Sequence, residues 1–224
     1  MNDSTPRLRI TRRSGKVRVV AVPGATLAVE GGSYSAGIDG VIDIQSAAGS
    51  VLEVRCAAGS DLTISTSSGA IDVRGDAGSV KVTTKSGALA IERATAVDAR
   101  GASGRVEVGA CAGDCHVSFV SSHVHIGAAG RAVVATVSGN IEVDAVDDAE
   151  VKTVSGSVSL AARGGGRLAA RTISGSIEIS VPTGSRPETR LKALSGHVRS
   201  ECQPGRDGEI RAKSLSGAIS VTCR

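Results

Sequence analysis

Val134-Ala135-Thr136-Val137-Ser138-Gly139-Asn140-Ile141-Glu142-Val143 is followed 17 residues later by Val151-Lys152-Thr153-Val154-Ser155-Gly156-Ser157-Val158-Ser159-Leu160. The two stretches share Thr-Val-Ser-Gly and then place an apolar residue at every second position. Ser-Gly also occurs at Ser68-Gly69, Ser86-Gly87, Ser103-Gly104, Ser174-Gly175, Ser195-Gly196 and Ser216-Gly217, and Ser121-Ser122 completes the series between Ser103 and Ser138. Steps of 17 to 21 residues, each with two short alternating patterns, are the mark of a solenoid, a chain wound into stacked coils.

The Ser of each Ser-Gly serves as position zero of a template. Position +3 then reads Ile71, Leu89, Val106, Val124, Ile141, Val158, Ile177, Val198, Ile219, and position +5 is apolar in all but one of the same repeats. That is a strand with one buried face. A second strand precedes the Ser-Gly, with Ile64, Val82, Ala99, Val117, Val134, Val151, Ala170, Leu191 and Ala212 at position −4. The Ser-Gly itself reads as a corner, where glycine supplies the dihedral and a neighbouring Thr or Ser hydroxyl satisfies backbone groups. No turn dipeptide returns the chain antiparallel, so each strand is expected to pair in parallel with its counterpart one coil on. Leu8, Ile10, Ser14-Gly15, Val17 and Val19 fit the template, and residues 24–60 fit it loosely. The expectation is a disordered tail over residues 1–6 and a single all-β solenoid domain over 7–224. Ten or eleven coils would make a rod on the order of 50 Å long.

The degenerate Ser-Gly-x-(Val/Ile)-x-(Val/Ile) repeat often carries an acid between its apolar residues, as in Gly69-Ala70-Ile71-Asp72-Val73 and Gly139-Asn140-Ile141-Glu142-Val143. In this it resembles the bacterial β-strand-repeat domain of unknown function labelled "putative adhesin", over roughly residues 7–224. The resemblance implies a right-handed parallel β-helix and carries over no catalytic motif or cofactor.

One Phe, one Tyr and no Trp exclude a core built on aromatic anchors, and 29 glycines suit a narrow interior of small side chains. No apolar run approaches the ~18 residues of a membrane span. The N-terminus has arginines but no apolar segment of the secretory kind, which points to the cytoplasm, while the adhesin label leaves a cell-surface role open. The net charge of +4 is uneven: residues 1–18 carry +5, residues 19–149 carry −7 and residues 150–224 carry +6.

Cys111, Cys115, His116, His123 and His125 form the densest group of metal-ligand residue types. The template separates them. Cys115 faces inward at −6 and His116 outward at −5, while His123 and His125 lie at outward +2 and +4 of another strand, nearly 7 Å apart. No metal site is expected. His125 should instead pair with acids in its own column, such as Glu142, just as Glu178 and Arg199 should pair across neighbouring coils. Cys56, Cys202 and Cys223 all fall at +7, where Ala110, Ala128, Ala145 and Ala162 suggest small buried fillers. Cys202 and Cys223 should lie one coil apart, close enough for a disulfide, although a cytoplasmic setting favours free thiols. Asp147-Asp148 reads as a solvated turn, and no acid pair converges on a cleft of the kind glycosidases need.

A column of cations is the strongest functional signal. Outward position −3 holds Lys152, Arg171, Lys192 and Lys213, with Arg190 and Arg211 beside it at −5. Like charges stacked every ~4.8 Å repel unless something exploits them. Three functional classes follow. A non-enzymatic scaffold for an unknown protein partner comes first. A binder of anionic polymer (polysaccharide, nucleic acid or lipid headgroups) comes second, without aromatics to stack bases. Third is self-assembly through solenoid ends or sides into a bactofilin-like filament. Strand pattern running from Arg7 to Cys223 leaves no room for a terminal capping helix, but both ends are basic, which opposes head-to-tail contact.

Overall fold

The structure, a computed structural model, describes residues 6–37, 40–46 and 51–224. The described chain is all-β and contains no helix. It divides into two compact units, residues 1–112 and 113–224. The expected tail over residues 1–6 lies outside the described residues except for Pro6.

The first unit holds β1 (Arg7–Ser14), β2 (Val17–Val22), β3 (Ala28–Glu30), β4 (Ser33–Ala36), β5 (Val41–Gln45), β6 (Leu52–Ala57), β7 (Asp61–Ser68) and the start of β8 (Ile71–Ala135), a strand run that belongs to both units. β7 and β8 pair in parallel one repeat apart, with Leu62 opposite Val80 and Ile64 opposite Val82. The first repeat sits one place in from the edge. β1 lies between β5 and β7, so Ile10 faces Ile44 and Ile64, and β2 lies between β6 and β8, so Val17 faces Leu52 and Ile71. The outer side of β5 is taken by antiparallel β4 and that of β6 by antiparallel β3. This corrects the expectation of uniformly parallel pairing and of an uncovered first edge. The loosely matching stretch supplies two short strands that occupy backbone groups an edge would leave open.

The second unit holds the end of β8, then β9 (Ile141–Lys152), β10 (Val158–Ala162), β11 (Arg167–Ser174), β12 (Ile177–Val181), β13 (Glu188–Ser195), β14 (Val198–Ser200), β15 (Glu209–Ser216) and β16 (Ile219–Cys223). All its ladders are parallel, and again the terminal repeat is inserted. β15 lies between β11 and β13, and β16 between β12 and β14. The penultimate repeat, β13–β14, is therefore the edge. Glu178 and Arg199 consequently both face Ser220 and not each other. Arg199 pairs instead with Glu201 at 2.8 Å. Cys202 and Cys223, one repeat apart as expected, form a disulfide with a Cα separation of 5.6 Å. The expectation of free thiols at this pair is corrected accordingly.

Apolar residues at +3, +5, −4 and −6 line the interiors, nearly all of them buried. The edge repeat is the exception, with Val198 46% exposed. Beyond +5 a register shift changes the inward position. Cys111, Ala129 and Val146, at +8, are buried, while Ala110, Ala128, Ala145 and Ala162 at +7 are only half-buried. Cys56 alone of the +7 cysteines is fully buried.

Position −2 is a buried hydroxyl row. Thr66 and Thr84 donate to the carbonyls of Ser68 and Ser86, each at 3.1 Å, and Thr136 donates to Thr153 at 3.0 Å. Phe119 fills the same row with bulk, and Arg12 fills it with a buried guanidinium that donates to the carbonyls of Ser14 and Lys16. Each of these bonds gives a buried hydroxyl a partner close to the bend.

The bend explains why the repeat is written with glycine. Gly139 has φ +120°, and a Cβ there would lie 1.8 Å from the Ser122 carbonyl oxygen. Gly24 has φ +70° with nothing within 4 Å, so a side chain there faces only the dihedral penalty. Gly24→Ala should therefore cost about 1–2 kcal/mol, and Gly139→Ala should cost clearly more because the backbone of two repeats must part. Urea denaturation of both variants measures the difference; equal losses would contradict the close-approach account.

Candidate functional site

In the second unit, β9, β11, β15 and β13 lie side by side in that order. Their outward residues fall at −7, −5, −3 and −1 of the template. At −7 stand Asp148, Arg167, Glu209 and Glu188; at −5 Glu150, Ala169, Arg211 and Arg190. At −3 stand Lys152, Arg171, Lys213 and Lys192, all exposed. The cation column is thus real, but its order is Lys152, Arg171, Lys213, Lys192, because the last repeat is inserted.

The six cations differ in how they are held. Lys152 bonds Glu150 at 2.7 Å, Arg190 bonds Glu188 at 2.8 Å, and Arg211 pairs with Glu209. Arg171, Lys192 and Lys213 make no ion pair among the described residues. Ala169, the one small residue of the −5 row, lies in a shallow groove of about 340 Å³ that Arg131, Arg167, Arg171 and Arg211 line together with Asp148 and Glu150. Asp148 accepts the Arg167 backbone N–H at 2.8 Å from its place in β9, which corrects its reading as a turn residue. Arg131 and Arg167 were not part of the expected cation set; extending the template to −7 would have found them.

Lys152 holds the Glu150 carboxyl below its ordinary 4.5, first by its hydrogen bond and then by its charge, with Arg171 and Arg131 adding smaller pulls against slight desolvation. A depressed carboxyl pKa keeps this pair intact above the ordinary carboxylate range and loses it as pH falls through the lowered value.

Position −1, apolar in the later repeats, is left exposed by the strands. Val120, Val137, Val154, Ile173, Leu215 and Leu194 are apolar yet between 42% and 74% exposed. Ladder contacts keep the row in register, with Val137 N–H donating to Val120 O at 3.0 Å and both Val154 and Ile173 continuing the pattern at 3.3 Å. The equivalent residues of the first unit, Ser67, Lys85 and Ala102, are not large apolar groups. Leaving half of a Val, Ile or Leu side chain in water forgoes roughly 1 kcal/mol each.

The metal-type residues do not meet. Cys111 and Cys115 are buried, His116 and His123 are exposed, and among the described residues no three His, Cys, Asp or Glu side chains are grouped to hold an ion. His125 lies opposite Glu142 in the ladder as expected, but its ring Nε2 contacts Asp144 Oδ2 at 2.9 Å, the diagonal neighbour on the same face. Burial pushes the Cys56 thiol up, with Ser60 acting weakly the other way.

Two solved structures are similar to this chain in fold. A "putative adhesin" from Bacteroides fragilis superposes with a TM-score of 0.51 at 11% identity, over 98% of this chain and 93% of its own. A "putative adhesin" from Parabacteroides merdae gives 0.50 at 12% identity, over 98% and 92%. The chain shares their fold. No family model and no curated protein matches the sequence. Among the described residues no helix is long and apolar enough to cross a membrane.

Replacing Lys152 with Gln removes the main cause of the low Glu150 pKa. Carboxyl NMR titration should show Glu150 moving up toward its ordinary value in Lys152→Gln; an unchanged titration would assign the effect to the arginines instead.

Proposed function

We propose that residues 7–224 form one right-handed parallel β-solenoid that works as a non-enzymatic interaction scaffold. The observation that carries this reading is the outward face of the second unit, where regular strands align like residues into exposed rows. Such a face offers a partner an extended surface and gathers no converging acid, base and nucleophile around a reacting atom. The fold shared with proteins described as adhesins supports it, since those names speak of attachment and not of turnover. The Cys202–Cys223 disulfide favours an oxidising compartment over the cytoplasm expected from the sequence.

A binder of anions through the cation column is compatible with this scaffold, and the three cations without ion pairs favour it. Filament growth through both ends has less support, because antiparallel β3 and β4 already occupy one edge of the first unit. Size-exclusion chromatography with light scattering at low and high salt should return one constant mass, and model polysaccharides and esters incubated with the protein should remain intact. Open-ended growth with salt would favour the filament, and turnover of any of these substrates would overturn the scaffold reading.

A further inference from the structure

Along β9, β11, β15 and β13 the outward residues change character in one direction. Acids and mixed charges occupy −7 and −5, cations occupy −3, and exposed Val154, Ile173, Leu215 and Leu194 occupy −1 beside the Ser-Gly bend. With Val120 and Val137 the apolar row spans six repeats, about 24 Å at ~4.8 Å per repeat. The cation row runs parallel to it, two residues or nearly 7 Å upstream on the same face. The sequence water-facing acid, cation, apolar side chain is the polarity profile met on passing from solvent through anionic headgroups into acyl chain.

We propose that this ridge and its cation row dock the second unit on the surface of an anionic lipid bilayer, which names the partner of the scaffold proposed above and rests on that reading. Three features choose a bilayer over other occupants. The ridge is one side chain wide, so a folded protein would have to present a matching slot, whereas fluid lipid conforms to it. Three of the four −3 cations are lysines, point charges suited to a diffuse anionic surface, and in that row only Arg171 offers a fork for one specific acid. A polysaccharide or nucleic acid would use the cations but leave the apolar row in water, and the row has no aromatic for sugars or bases to stack on. Arg171, Lys192 and Lys213 are exposed and make no ion pair among the described residues, so their charge is available to lipid.

Co-sedimentation of the full chain with vesicles tests this, comparing pure phosphatidylcholine with a mixture containing phosphatidylglycerol. The protein should pellet with the anionic vesicles and not with the neutral ones, and less so as salt rises. Each cation near such a surface contributes roughly fivefold. Lys152→Gln, Arg171→Gln, Lys192→Gln and Lys213→Gln combined should therefore weaken binding by at least about fiftyfold. Ile173→Asp with Leu215→Asp should weaken it at least about tenfold while the cations stay in place. Both sets alter exposed side chains, and circular dichroism with a thermal melt verifies that each variant is folded.

No pelleting with anionic vesicles overturns the docking proposal and leaves the scaffold reading standing, as does equal pelleting with neutral ones. Loss of binding in the cation variant with none in the ridge variant also overturns it, in favour of a soluble polyanion. Release of fatty acid or headgroup from the vesicles would instead sink the scaffold reading.

Discussion

The contact between successive Ser-Gly bends is the constraint on which the rest depends. In the second unit the Gly139 N–H donates to Ser155 O, Gly156 to Ser174, Gly175 to Ser216 and Gly217 to Ser195, all at 2.9–3.0 Å. The approach is so close that a Cβ on Gly139, Gly156, Gly175 or Gly217 would lie 1.8–2.1 Å from a carbonyl oxygen. Once the bends are locked at this spacing, every other position is locked too. Inward residues align into buried rows, the −2 hydroxyls of Thr66, Thr84 and Ser214 meet bend carbonyls, and outward residues become rows of like chemistry. The basic column and the apolar ridge both follow from this alignment.

Repetition also explains what was legible. Position +3 alternates with small or polar residues, so its burial could be read directly, and so could the parity of Cys115. The cation column was legible for the same reason, since Lys152, Arg171, Lys192 and Lys213 share one template position. Repeats that resemble one another do not state which neighbour each one takes. β15 fits against β11 as well as β13 would, so the insertion of the first and last repeats left no trace in the pattern. That insertion put β16 between β12 and β14 and so moved Arg199 away from Glu178.

The ridge was hidden by a different cause. Val137, Val154 and Ile173 are apolar, and hydrophobic character usually signals burial, yet their parity is that of the exposed lysines. Parity decides where a strand residue points, and composition does not. The residues past +5 misled in the opposite way, because a register shift moved the inward position from +7 to +8 and left Ala128 and Ala145 only half-buried while Ala129 and Val146 took the core. Local irregularity of this kind belongs to the backbone and has no side-chain signature.

Hydrogen exchange at the bend glycines tests the central claim most directly. If the bends are locked repeat to repeat, the amides of Gly139, Gly156, Gly175 and Gly217 exchange as slowly as those of the buried strand residues Val143 and Ile179. Gly24 and Gly184, which have no neighbour within 4 Å of a Cβ position, set the fast reference. Bend amides that exchange at the rate of Gly24 would contradict the account, because the rows would then have lost the contact that holds them in register.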